Sequence, residues 1–110
     1  MAYDKYLQER IEIILNEKHI TYIAKKMMGG LCYMVNDKMC FGIVKGDLMV
    51  RVGEAAQNEL SLKKGTRPMD FTKRPIKGFL FVAPHGIDFS EELEFWIDKC
   101  LEYNPIAKAS

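Results

Sequence analysis

From Lys25 to Val52 the chain reads KKMMGGLCYMVNDKMCFGIVKGDLMVRV, three short apolar runs cut by turn dipeptides. Runs of this length, bounded in this way, specify an antiparallel meander. Asn36 and Asp37 both tolerate the positive φ that a two-residue hairpin turn requires. Such a turn pairs Val35 with Lys38, Met34 with Met39, Tyr33 with Cys40 and Cys32 with Phe41. Side chains alternate across a sheet, so Cys32, Met34, Met39, Phe41 and Ile43 are predicted on one apolar face. A second turn at Lys45-Gly46 adds Leu48, Val50 and Val52 to that face, leaving Tyr33, Cys40, Gly42, Met49 and Arg51 on the other. Cys32 and Cys40 cannot bridge in this register.

The flanks are helical in pattern. Asp4 caps a helix whose apolar stripe is Leu7, Ile11, Ile14 and Leu15, ending near Glu17. Tyr22 and Ile23 start a β-rich run, which Gly29-Gly30 interrupts as a bulge or bend before Leu31 to Val35 resumes it. After the meander, a short helix to about Leu62 ends at Lys63-Lys64-Gly65, where cations and a glycine suit a helix C-terminus. Arg67 to Phe71 reads as a strand, TKRPIK as a polar connection, and Gly78 introduces the buried strand FLFV. Asp88 or Ser90 caps a last helix with Leu93, Trp96, Ile97, Cys100 and Leu101 inward; Pro105 stops it, and IAKAS is expected to fray. The resulting order is α-β-β-β-α-β-β-α, an α+β fold with helices packed on one face of an antiparallel sheet.

With 110 residues and 48% hydrophobic content, the chain is expected to form a single domain around one core. Sixteen basic and fifteen acidic side chains leave a formal charge of +1, so any attraction to nucleic acid or lipid must be local. No apolar stretch approaches the roughly 20 residues of a membrane span, and the charged start MAYDKYLQER is unlike a signal peptide. Three unpaired cysteines fit a reducing compartment, and a cytoplasmic location is expected.

Catalytic and ligand-binding patterns are weak. Cys40, on the less apolar face, is the candidate reactive thiol, but His19 and His85 lie in predicted turns far from it in sequence. The scattered cysteines and histidines form no metal motif. Gly29-Gly30 lacks the remainder of a phosphate loop, so no cofactor is expected. Glu91, Glu92 and Glu94 read as a solvated helix start. The basic interval Lys63, Lys64, Arg67, Lys73, Arg74 and Lys77 is offset only by Asp70 and is a candidate for phosphate or acidic-partner contact, with no nucleic-acid recognition motif beside it.

The segments KKMMGGLCYMVNDKMCFGIV, DLMVRVG and RPMDFTKRPIKGFLFV, in that order, resemble the N-terminal domain of the TfoX/Sxy family of bacterial competence regulators. The resemblance covers nearly the whole chain, with Gly29, Gly30, Arg51, Asp70, Arg74 and Gly78 as motif positions. It departs from the family at Met28, where phenylalanine is usual, and near Asp37 and Lys73, where glycine is usual. The resemblance implies an α+β domain shaped like secretion chaperones, a bacterial source, and a part in transcriptional control of DNA-uptake competence alongside a cyclic-AMP-responsive activator, without catalysis. Full-length regulators of this type continue into a helical C-terminal domain, and this sequence is expected to hold the first domain alone.

The leading expectation is therefore a non-enzymatic regulatory or protein-interaction module. Its surface would comprise Tyr33, Met49 and Arg51 with Lys63, Lys64, Arg67, Lys73, Arg74 and Lys77. A protein partner is expected, and a second copy of the chain is one candidate. Direct nucleic-acid binding through the basic interval is the alternative, followed by a small-ligand or thiol enzyme built around Cys40.

Overall fold

The Asp4 carboxylate accepts the Tyr6 and Leu7 N–H groups in a computed structural model that describes residues 3–27, 29–69 and 76–108. The cap satisfies donors that have no partner within the helix. Helix α1 (Lys5–Glu17) follows, with Leu7, Ile11 and Leu15 buried as their spacing predicts. Then come β1 (Ile23–Met27), β2 (Gly30–Val35), β3 (Lys38–Val44), β4 (Asp47–Arg51), α2 (Glu54–Leu60), β5 (Thr66–Pro68), β6 (Phe79–Val82) and α3 (Ser90–Tyr103). The strands form one antiparallel sheet in the order β1-β2-β3-β4-β6-β5.

The α+β class and the antiparallel sheet agree with the sequence. The meander carries one strand more than expected, because Gly29-Gly30 lies at a hairpin between β1 and β2 where a bend was predicted. Gly29 takes φ +72°, and a Cβ on Gly30 would lie 1.9 Å from the Ile43 carbonyl oxygen, so the β2–β3 approach there admits only glycine. Asn36 and Asp37 adopt φ of 55° and 62°, as the hairpin turn requires. At the next turn Lys45 takes the positive φ, at 57°.

The register departs from simple alternation at Cys40. Val35 pairs with Lys38 and Met34 with Met39, but Tyr33 then pairs with Phe41 and Cys32 with Gly42, leaving Cys40 as an extra residue in a β-bulge. The Arg51 guanidinium donates to the Met39 carbonyl, 3.2 Å away, beside this bulge. The extra residue exchanges the predicted faces over part of the ribbon. Tyr33 and Cys40 join Phe41, Ile43, Leu48, Val50 and Val52 in the main core, whereas Cys32 pairs with Gly42 and packs with Met34, Met39 and Met49 on the opposite face. Phe41 and Val50 remain direct cross-strand partners.

All three helices contribute to the main core, through Leu7, Ile11 and Leu15 of α1, Leu60 of α2, and Leu93, Trp96, Ile97 and Cys100 of α3. Helix α3 has Phe89 at its N-cap, one residue from either predicted cap, and the Glu92 carboxylate accepts the Phe89 N–H at 3.0 Å. The chain after Pro105 is docked through Lys108, contrary to the expected fraying. Ala107 is buried, and the buried Asn104 amide donates to the Val35 carbonyl at 3.0 Å while its oxygen accepts from Asn36 at 2.8 Å.

Candidate functional site

The helix-free face of the sheet is apolar. Cross-strand pairing places Ile23 beside Met34 and Met34 beside Met39, so an aliphatic and thioether row runs across β1, β2 and β3. A second cluster unites Cys32, Met49, Met69 and Phe81, with Met34, Met39, Val44, Ile76 and Phe79 half-buried around it. Met69 and Ile76 pack onto these strands and are joined by an Ile76 N–H to Met69 carbonyl bond of 2.8 Å. The cover is incomplete: Ile23 is 55% and Met27 37% exposed, and every residue of the edge strand β1 is exposed.

At the β4–β6 end of this face Arg51 enters a surface cleft of about 490 Å³. Its guanidinium donates to the carbonyls of Met39 and Lys108, and lies 5.6 Å from the Phe79 ring centre and 6.0 Å from that of Tyr103. Lys77, Lys108 and Glu54 add charged side chains, and Gly53 and Gly78 complete the wall. The wall is fixed from behind. Val52 and Gly53 both donate their N–H to the Gly78 carbonyl, at 2.9 and 3.1 Å, and the Gln57 side-chain oxygen accepts the Gly78 N–H at 2.7 Å. Gly53 adopts φ 86°, ψ 156°, a region open essentially to glycine, and a Cβ there would fall 2.4 Å from Tyr103 Cε1.

The predicted interaction residues do not form one surface. Tyr33 is fully buried in the helix-covered core, where it stacks on Phe41 at 5.1 Å between ring centres and donates its hydroxyl to Glu12 at 3.2 Å. Met49 is on the helix-free face as expected, but at 1% exposure it is interior to the second cluster. Lys63 and Lys64 border a separate hollow of about 220 Å³ beside Glu91, Glu92 and Phe95; Lys64 pairs with Glu92 at 3.0 Å, and Lys63 sits 4.4 Å from the Phe95 ring centre. Arg67 pairs with Asp47 at 2.6 Å and lies over the Phe81 ring. Among the described residues, only Arg51 and Lys77 of the predicted set share the β4–β6 cleft. Lys73 and Arg74 lie outside the described residues. Gln57, which ties the cleft wall together, has no local signal in the sequence.

The thiols are sealed. Cys40 is 1% exposed in the main core, and burial pushes its pKa up to about 12. Burial likewise raises Cys32 to about 11 and Cys100 well above its ordinary value. Cys40 is thus an inert packing residue in this fold, which removes the pocket imagined around it. No group of three metal-ligating side chains occurs among the described residues, and none of the described helices is long and apolar enough to cross a membrane.

The family model for the TfoX N-terminal domain matches residues 17–103. The chain belongs to the TfoX N-terminal domain family. In this TfoX N-terminal domain the match begins at the end of α1, spans the whole sheet and closes with α3, so it takes in the methionine row and the Arg51 cleft apart from Ile106 and Lys108. No match was found among curated proteins or among solved structures.

Proposed function

We propose that this TfoX N-terminal domain is a non-enzymatic protein-interaction module serving transcriptional regulation in the bacterial cytoplasm. The observation that carries this reading is the incompletely covered apolar row Ile23, Met34 and Met39, with the exposed Met27 at the far end of β1 on the same face. Exposed aliphatic side chains beside flexible thioethers supply contact area that adapts to a partner's shape. Lys25 lies on the same face, which favours a partner carrying acidic residues there. The cations at 63, 64 and 67 already face carboxylates or rings, which weakens the nucleic-acid alternative.

The test is affinity capture from the native host with the wild-type domain and with Ile23→Glu and Met27→Glu variants. Both positions are exposed, so the variants should keep the wild-type circular dichroism spectrum. A transcription-associated protein retained by the wild type and lost from both folded variants supports the reading. A partner set that is unchanged by the substitutions overturns it, and salt-sensitive binding of duplex DNA in place of a protein would favour the alternative.

A further inference from the structure

Beside the Arg51 cleft lies a second hollow of about 250 Å³, and both are bordered by Gly53, Ala55, Tyr103 and Ile106. The two halves differ in chemistry. Among the described residues, the first holds Lys77 and Lys108, whose ammonium groups have no ion-pair partner there, and one carboxylate, that of Glu54. The second is floored by Val52, Ala56 and Leu60, with Lys99 and Glu102 at its rim. A cationic compartment beside an apolar groove, the two sharing one wall, matches a molecule with an anionic head and a short hydrocarbon tail. The volume of the first compartment lies within the roughly 300–1,000 Å³ of small-molecule sites.

The shape is also held before any ligand arrives. Gln57 fastens α2 to the start of β6, accepting the Gly78 N–H and donating to the Phe79 carbonyl at 3.4 Å, while Tyr103 closes against Gly53, where no Cβ would fit. A wall fixed by its own hydrogen bonds loses little freedom on binding. We infer that this cleft binds small alkyl carboxylates, with the carboxylate beside Lys77 and Lys108 and the tail along Val52, Ala56 and Leu60. The inference is independent of the protein-docking reading, because the docking surface lies at β1 and the cleft at the α2 and α3 end.

Octanoate titrated into the full chain while amide resonances are followed tests it. The expected result is a saturable shift of Gly53, Ala55 and Gly78, with roughly tenfold weaker binding of the neutral octanamide and of tail-less acetate. Lys77→Glu and Lys108→Glu, both at exposed positions, should each weaken octanoate severalfold. Absence of a saturable shift at these amides overturns the inference, as does octanamide or acetate binding as tightly as octanoate. The ligand comparison uses the wild-type chain and stands even if a variant fails to fold.

Discussion

The Tyr33 hydroxyl donates to Glu12 Oε2 across 3.2 Å, joining the centre of β2 to the middle of α1 through an otherwise apolar layer. Burial and the neighbouring Glu12 carboxylate raise the phenol's pKa, so it remains a neutral donor. Tyr33→Phe keeps the stack on Phe41 and deletes only this bond. The expected loss is about 1–2 kcal/mol, since hydrogen bonds to charged acceptors contribute more than neutral ones. Urea denaturation with an unchanged slope would check it; equal midpoints would show that the bond contributes nothing.

Asn104 holds the docked C-terminal segment. Asn104→Ala leaves the Val35 carbonyl without the amide that now reaches it at 3.0 Å. An orphaned buried acceptor costs about 1–3 kcal/mol, and amide hydrogen exchange should accelerate from 104 to 108 before it does so in the sheet. Uniform acceleration throughout the chain would contradict a local latch.

Gly53→Ala tests the cleft wall. The substitution meets both an unfavourable backbone region and the Tyr103 ring, and the backbone contribution alone is about 1–3 kcal/mol. Thermal unfolding should show a fall in Tm of at least several degrees. Gly46→Ala is the control, because its Cβ would meet only Pro84 Cγ at 3.7 Å and should change Tm little.

The start of α3 should respond to acid. The Phe89 N–H and then the Lys64 ammonium hold the Glu92 carboxyl below the ordinary glutamate range. A depressed folded pKa means the stabilisation is complete above the unfolded value, about 4.3, and is lost as pH falls through the lower folded value. The stability difference between wild type and Glu92→Gln should therefore be present at neutral pH and vanish on acidification. A difference independent of pH would assign the effect to something other than this charge.

Cys40, raised to about 12 by burial, should resist iodoacetamide at neutral pH in the native chain. All three thiols should react once denaturant is added. Rapid native labelling of Cys40, mapped by mass spectrometry, would contradict its place in the core.

Much of the fold is legible because its signals are local. Asp4 beside an apolar stripe marks α1, and Asn36-Asp37 can adopt the left-handed geometry of a tight hairpin whatever surrounds them. β1 was harder to read because all five of its residues are exposed, so burial imposes no alternation, and its lysines suit an unprotected sheet edge. The bulge has no signature of its own: Cys40 is apolar enough for either face, and the side chain that meets the Met39 carbonyl beside it comes from Arg51 on the next strand. The candidate cleft was legible only as separate cations. Arg51 and Lys77 come together through the β4–β6 pairing and the Gln57 contact, which depend on residues far apart in the chain.

The surplus residue in β3 acts as a phase change along the ribbon. Upstream of it an odd-numbered position, Met39, looks outward; downstream an odd-numbered position, Phe41, looks inward. Removing Cys40 would leave Val35–Lys38, Met34–Met39, Tyr33–Phe41 and Cys32–Gly42 paired as they are and return the ribbon to regular alternation, without the bend that the bulge imposes. A chain lacking Cys40 should therefore lose the packing of one buried thiol while keeping Phe41 and Ile43 on the core face.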